Sequence, residues 1–443
     1  MKTIQLSSGA AFAIARLEEH GFESYAVGGC VRDSLLGNIP HDWDLTTSAT
    51  PDEVADCFAD CRVIETGKKH GTMTVLYQSE PLEITTYRTD GVYEDNRHPK
   101  QVTFSTSLSD DLSRRDFTVN AMAYHPKRGL VDLFGGQKDL ANGIISCVGN
   151  PVTRFQEDGL RILRALRFAS VLGFTLAPET ATAVHTCREL LRNIASERIR
   201  EEFVKLLCGK GAAEILLAYP DVIGVFVPEI LPAVGFAQDT KYHCYDVYEH
   251  TVRALAFAPA DPVLRLALFF HDLGKPAVHT ADADGDHFKG HAAVSATLCS
   301  AALERLRFDK ATQNEVTLLV ERHDYPIACT EKAVRRLLTK MSPETLRRLL
   351  ELKKCDRLAH APDFRDLPDE QTEIPRILDD ILSRGDCLTL KALAVDGSDL
   401  IALGYHPGKE LGAALQSLLD EVIDGNLPNK KEPLLQAARE RLK

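Results

Sequence analysis

The sequence predicts an α+β protein: a head built on a mixed sheet, followed by an all-helical remainder. Three observations carry that expectation. Between about residues 22 and 148, short β-rich runs (SYAVGG, WDLTT, GTMTVLY, LEITTYR, LVDLF) alternate with helical pieces such as PDEVADCFAD, the pattern of one domain around a sheet. Beyond Asn150 strand signals nearly vanish. Amphipathic helical stretches run to the C-terminus, broken by turn signals at AYPD, VPEILP and DADGD. Finally, 443 residues are too many for one hydrophobic core, so two to four domains are expected.

The opening MKTIQLSSGAAFAIARLEEHG carries an apolar patch interrupted by Arg16, Glu18 and Glu19, which makes it an amphipathic helix rather than a signal peptide. Next, the strand YAV runs into Gly28-Gly29, where missing side chains let backbone N–H groups approach a ligand, and a helix carrying Arg32 follows. The run matches neither GxGxxG nor GxxxxGK(S/T), so the Rossmann and Walker readings fail. Ten residues on, Asp42-Trp43-Asp44 lies in a strand pattern whose alternation puts both carboxylates on one side. Two like charges there are costly unless a cation sits between them, which points to divalent metal. Metals so held can activate a hydroxyl and stabilise a leaving pyrophosphate in phosphoryl transfer. A lone DxD is more often a surface strand end; GG, Arg and DxD together are a stronger signal. Further on, SLSDDLSRRDFTVNAMAYHP sets Arg114 and Arg115 after an acidic helix start. An arginine fork there suits triphosphate oxygens, or pairing with Asp110 and Asp111.

The stretch EDGLRILRALRF begins a long helical pattern in which Asp158, Arg161, Arg164 and Arg167 recur every third residue. At about 100° per residue these four form one slowly drifting polar stripe, with Leu160, Leu163, Leu166 and Phe168 elsewhere on the cylinder. Taken alone, the stripe is a solvated face with an ion pair at i, i+3.

GGCVRD, HDWDL, RRDFTVNAMAY, VDLFGG and EDGLR stand in this order. Over residues 22 to 210 the chain thereby resembles the class II tRNA nucleotidyltransferases and bacterial poly(A) polymerases of the polymerase-β superfamily. The resemblance implies a head, neck, body and tail enzyme that adds nucleotides to an RNA 3′ end. It implies Mg²⁺ at Asp42 and Asp44 and triphosphate contacts near Gly29, Arg32 and Arg115. It also makes the EDxxR helix a template: Asp158 and Arg161 pair with the Watson–Crick edge of the incoming base, and Arg164 and Arg167 reach the ribose or phosphates. The chemistry is coherent, since a carboxylate accepts from the amino group shared by C and A while an arginine donates to a ring nitrogen or carbonyl. CTP and ATP then fit, and UTP and GTP leave polar groups unpaired. The segment Tyr87 to Phe104 looks like the flexible loop that CC-adding relatives lack. CCA addition therefore leads, ahead of single-A addition and poly(A) synthesis.

Seven of the fifteen histidines fall between His243 and His323. His250, His271-Asp272 and Asp356, in a helical setting, resemble the core of the HD phosphohydrolase superfamily, whose His and Asp side chains bind divalent metal. His291 and His323 match the extra positions found where two metals bind. An adjacent His-Asp pair is more often structural. The resemblance implies trimming or repair of 3′-phosphate or 2′,3′-cyclic ends. The rival reading makes this domain the working part, a phosphohydrolase, and the head a nucleotide-binding module.

Expected boundaries are 1–148 for the catalytic head, 149–235 for the helical neck and start of the body, 236–360 for the HD domain and 361–443 for a helical, tRNA-binding tail. The net charge of −12 argues mildly against nucleic acid, but distribution matters more than total. Residues 331–357 hold nine Lys/Arg against four acids, a basic patch or an ordinary charged surface. Eleven scattered cysteines support neither zinc ribbon nor disulfide framework and fit a reducing cytoplasm. No apolar run approaches a bilayer span. The expected partners are tRNA, CTP and ATP, with no membrane and no obligate protein partner.

Overall fold

The computed structural model describes residues 4–90, 102–283 and 285–442. Two compact units emerge: Met1–Leu231 with Arg305–Phe308, and Pro232–Glu304 with Asp309–Lys443. Most of the loop expected between Tyr87 and Phe104, residues 91–101, lies outside the described residues.

The first unit is organised by β1 (Ser24–Val27), β2 (Trp43–Thr47), β3 (Arg62–Ile64), β4 (Thr72–Tyr77), β5 (Glu80–Thr86), β6 (Arg88–Asp90), β7 (Val102–Phe104), β8 (Met122–His125) and β9 (Gly129–Asp132). Seven of these form one sheet in the order β3-β4-β5-β2-β1-β8-β9, and β6 pairs with β7 apart from it. Within the seven, β2 and β5 run parallel and the other neighbours antiparallel. The sheet is mixed, as expected. β1 and β8 are buried at every residue, so the hydrophobic alternation of a one-sided strand is missing from both. The run SYAV of β1 still shows in sequence through Tyr25 and Val27, whereas MAYH of β8 holds only one strong strand former, Tyr124.

Ala10, Ala13, Ile14 and Leu17 of the helix Ser8–Glu19 pack under Leu45, Met73, Val75, Leu82 and Ile84 of the sheet. Ser7 caps this helix by accepting from the Ala10 N–H.

The long helix expected from Glu157 is two helices, Pro151–Glu157 and Leu160–Leu172. Asp158 stands between them in extended conformation, φ −139° and ψ 106°. The following glycine lets the chain restart, and the carboxylate of Asp158 accepts from the Leu160 N–H at 3.0 Å, satisfying a donor the new helix leaves open. Asp158 is therefore not part of the helical stripe; the three arginines are.

The second unit is helical around the buried stretch LRLALFF of Pro262–Phe270. It carries one short hairpin, Thr280–Asp282 with Gly285–His287, where the sequence showed only a turn. A separate apolar cluster including Leu400, Tyr405, Leu418, Ile423 and Leu434 supports the C-terminal helices. In residues 331–357, seven of the nine cations form ion pairs with acids, among them Arg335 with Asp386, Arg336 with Asp424 and Arg348 with Asp261 and Glu315. The basic stretch is thus largely a paired surface. No described helix is long and apolar enough to cross a membrane.

Candidate functional site

Gly28 joins β1 to the helix Gly29–Leu36 with φ +82° and ψ −128°, a conformation that favours glycine. A Cβ at Gly28 would also meet the Arg115 guanidinium at 3.1 Å. Beside the turn, Arg32 is buried and donates to Asp33 at 2.8 Å and to Asn120 at 2.6 Å. Arg115 donates to the buried carboxylate of Asp111 at 3.1 Å, and Arg114 donates to the other oxygen of Asp111 at 2.6 Å.

β2 begins at Trp43, so Asp42 lies on the turn before it and Asp44 within it, both exposed. The sequence reading missed a third acid. Parallel pairing sets Glu83 of β5 directly opposite Asp44. The Asp44 carboxyl reaches solvent, yet the protein crowded around it, with Glu83 and Asp42, raises its pKa against the opposing pull of Arg115. Carboxylate oxygens are donors of the kind a divalent cation takes, but Asp42, Asp44 and Glu83 do not bring three such atoms within 4.8 Å of one another in this structure. No sequence signal links Glu83 to Asp44; only the register does.

The arginine stripe is held by acids of the same unit. Arg164 donates to Asp116 at 2.8 and 2.5 Å, and Arg167 pairs with Glu202 at 2.7 Å. Burial alone would raise the Asp116 pKa, but Arg164 and Arg161 hold it down at about 2. The guanidinium carbons of Arg32, Arg164 and Arg167 stand 5.2, 5.3 and 3.7 Å from the centre of the Phe168 ring, where the π face favours cations. Arg161 donates to Glu157 at 2.5 Å and to the Arg114 carbonyl at 3.1 Å. Asp158 accepts from Arg198 at 3.0 Å. Arg198 and Glu202 were not anticipated, although their i, i+4 spacing in SERIREEF places them on one helix face.

In the second unit the histidines converge as expected. The Nδ1 atoms of His250, His271, His291 and His323 each bond a backbone carbonyl, of Ala359, Leu268, Phe288 and Val320, at 3.3, 2.7, 2.9 and 2.7 Å. Carbonyls only accept, so each Nδ1 carries a proton and each Nε2 is left to face inward, towards the carboxylates. His250 and His271 direct Nε2 at Asp356 Oδ1, 2.8 and 3.5 Å away, and at Asp272 Oδ2, 3.7 and 3.3 Å away. His291 and His323 face Asp272 Oδ1 at 3.3 and 3.6 Å, and their own Nε2 atoms lie 3.0 Å apart. Two such acceptors repel unless a cation or proton lies between. The buried His271 Nε2 has no aligned hydrogen bond. Burial opposes charging His271, but Asp272 and Asp356 push its pKa up to about 10, and both carboxyls are held well below the usual range. The cluster thus draws positive charge inward, and its N and O donors suit a transition metal or zinc. Ligand atoms of His250, His271, Asp272 and Asp356 lie within 4.8 Å of one another, as do those of Asp272, His291 and His323.

Family models match three parts of the chain: the poly A polymerase head domain over residues 24–146, the "Probable RNA and SrmB- binding site of polymerase A" over 173–230, and domain 2 of tRNA nucleotidyltransferases over 296–438. A CCA-adding enzyme of Levilactobacillus brevis is 36% identical over 436 residues, covering 95% of this chain and 94% of that protein. One from Lactobacillus delbrueckii subsp. bulgaricus is 35% identical over 423 residues, covering 96% and 95%. Among solved structures, the Bacillus stearothermophilus CCA-adding enzyme in complex with CTP superposes with a TM-score of 0.73 at 30% identity, over 98% of this chain and 96% of that one. The Thermotoga maritima CCA-adding enzyme complexed with tRNA shares the fold, with a TM-score of 0.60 at 20% identity over 99% and 97%.

Proposed function

This chain belongs to the CCA-adding enzymes, and from that premise we propose how its residues work. It is a tRNA nucleotidyltransferase that adds C, C and A to the tRNA 3′ end from CTP and ATP. The observation that supports the site assignment is the register of β2 on β5, which sets Glu83 opposite Asp44, with Asp42 two residues away and the charge of Arg115 acting on the Asp44 carboxyl. These three carboxylates would hold Mg²⁺, which when bound supplies charge neutralisation for the triphosphate and an activated 3′-hydroxyl. The backbone at Gly29, with Arg32 and Arg115, holds the triphosphate in line. Asp158 accepts from the amino group of C or A, and Arg161 donates to the ring edge. Both side chains have partners within the protein, Asp158 in Arg198 and Leu160, Arg161 in Glu157 and Arg114. An incoming base must replace some of those bonds, so a base with mismatched donors loses them without return. Arg164 and Arg167, already paired with Asp116 and Glu202, support the ribose and phosphates from behind.

We assign residues 1–148 to the catalytic head, 149–235 to the neck and templating body, 236–360 to the HD domain and 361–443 to a tail that holds tRNA. Free cysteines throughout the described residues and these substrates suit the cytoplasm. The deciding assay supplies tRNA lacking its 3′ end with labelled CTP, ATP and Mg²⁺, and reads product length. CCA addition gives a three-nucleotide extension. A single added A, or a long A tract, would return the chain to one of the alternative activities, and no incorporation would sink the reading.

A second reading is supported by the inward-facing imidazoles. His250, His271, Asp272 and Asp356 would hold one divalent cation, and Asp272, His291 and His323 a second. Such a centre suits hydrolysis of phosphate esters. Water oxygen bonds to phosphorus, the bond from phosphorus to the ester oxygen breaks, and the released alkoxide takes the proton.

A further inference from the structure

Arg161, the base reader of the proposed reaction, is held by Glu157, Arg154 and Arg114. It donates through Nη1 to Glu157 at 2.5 Å and to the Arg154 carbonyl at 3.2 Å, and through Nη2 to the Arg114 carbonyl at 3.1 Å. The oxygen of Glu157 that takes Arg161 also takes Arg154 Nη1, at 2.9 Å. One carboxylate oxygen therefore joins two guanidinium groups. Arg154 is anchored in turn by its Nε–H on the Val148 carbonyl at 2.9 Å. All three side chains are largely buried, Arg161 most of all at 11% exposed. Asp116 also feels the charge of Arg161 but is bonded by Arg164. Glu157 and Arg161 are four residues apart, the spacing of an ordinary pair along one helix. Here the backbone leaves the helix between them at Asp158, so the pair spans a break. A hold on Arg161 has a chemical purpose. Arginine only donates, and uracil and guanine carry carbonyl acceptors just as cytosine carries an acceptor ring nitrogen. A guanidinium free to swing on its long side chain would find an acceptor on any of them. Only one fixed in place leaves the wrong base unpaired. Of these three bonds, the one to the carboxylate is charge-assisted and the strongest, so it is the last to yield when a base arrives.

We propose that Glu157, braced by Arg154, is a positioning residue for Arg161 and sets how strictly the base is chosen. The proposal rests on reading Arg161 as a base contact. While cytosine or adenine settles beside Arg161, Glu157 keeps its bond and the weaker bonds to carbonyls give way first. Glu157 acts through Arg161 and not on the nucleotide.

The test measures kcat/KM for CTP and for UTP with the full-length protein on tRNA lacking its 3′ end. Glu157→Ala should lower the CTP-to-UTP ratio about fivefold, less than the tenfold or more of a lost base contact, because the two carbonyl bonds remain. Glu157→Gln should recover most of the ratio, since an amide oxygen still accepts from both arginines. Arg154→Ala keeps its carbonyl but loses the brace, and should give a smaller fall. It alters neither Glu157 nor Arg161, so it reports even if Glu157→Ala unfolds. A merely structural Glu157 would slow all nucleotides alike, so an unchanged ratio in these alanine variants overturns the proposal. A cycle with Arg161→Ala separates positioning from the template itself. Arg161→Ala should lower the ratio, and adding Glu157→Ala to it should lower it no further. A second fall of the same size overturns the proposal, because Glu157 would then act without Arg161. A wild-type ratio in Arg161→Ala is a different result: it removes Arg161 as base reader, and the positioning with it.

Discussion

In the sheet, Asp42 and Asp44 stand at exposed positions, and Glu83, the acid nearest in register, adds charge of the same sign. In the helical unit, Asp272 is 2% exposed and each imidazole facing it is fixed by a backbone carbonyl. The first arrangement is unfinished by itself. Magnesium usually keeps waters and takes one or two carboxylates plus substrate phosphates, so under the proposed assignment the triphosphate would complete the sheet site on each cycle. The second is a cage whose donors are oriented before any ligand arrives. An open site built this way should lose chemistry without losing stability when altered, whereas a cage should lose both.

The largest effect tests the open half. Asp42→Ala or Asp44→Ala should lower nucleotide incorporation by at least about 10³-fold, because several kcal/mol of charge stabilisation convert at about 1.4 kcal/mol per power of ten. The thermal midpoint should hold or rise slightly, since each change removes a like charge from the neighbourhood of Glu83. Single-turnover incorporation and a melting curve read the two sides. Incorporation near the wild-type rate would take these residues out of the site, and a collapsed midpoint would contradict their exposed setting.

The cage comes next. His271→Ala with Asp272→Ala should abolish metal uptake and any metal-dependent phosphoester hydrolysis, while CCA addition stays within about twofold. Stability should fall, because removing one partner of a buried ion pair costs about 3–5 kcal/mol and Lys275 loses Asp272. Addition must therefore be assayed well below the new midpoint. Parallel loss of addition in folded protein would mean that the two centres are coupled.

The same contrast governs what could be read from sequence. Asp42, Asp44, Arg32 and Arg115 sit in contiguous motifs, and the histidines recur at recognisable intervals, so both clusters could be read as candidates. Glu83 was not, because 39 residues and a parallel strand pairing separate it from Asp44. The break at Asp158 was hidden by the three-residue period of the arginines, which continues through it although the backbone does not. β8 was missed because its four residues, MAYH, hold only one strong strand former, Tyr124.

Selectivity is the next smaller effect. Replacing both Asp158 and Arg161 by alanine deletes the proposed contacts to the base edge and leaves Asp44, Arg32 and Arg115 in place. The ratio of kcat/KM for CTP over UTP should fall by one to two powers of ten, as a lost bidentate contact is worth about 1–3 kcal/mol of discrimination. An unchanged ratio would return the stripe to an ordinary charged surface. A single Arg198→Ala change should fall in between, since it frees one oxygen of Asp158 but leaves the Leu160 bond.

The smallest effect separates a carboxylate paired for structure from those kept for metal. Asp116 is 8% exposed and takes both Nε–H and Nη2–H of Arg164. Its folded pKa of about 2 lies below the roughly 3.9 of an unfolded aspartate. The folded state therefore binds fewer protons between those values. Its contribution is fully present above about pH 4 and disappears as pH falls through about 2. A shift of about two units at 1.36 kcal/mol each corresponds to about 2–3 kcal/mol. Asp116→Asn should thus be less stable than wild type at pH 6 by about that amount, and the gap should narrow on acidification. Other carboxyls titrate in both proteins and cancel in the difference. Urea midpoints at pH 6 and pH 3 make the measurement. Asp44, whose pKa is raised, has the opposite sign: in Mg²⁺-free protein Asp44→Asn should be no less stable at pH 6, because the ionised carboxylate is unfavourable without its cation. If the Asp116 gap stays constant with pH, the Asp116–Arg164 pair is not the charged contact its geometry describes.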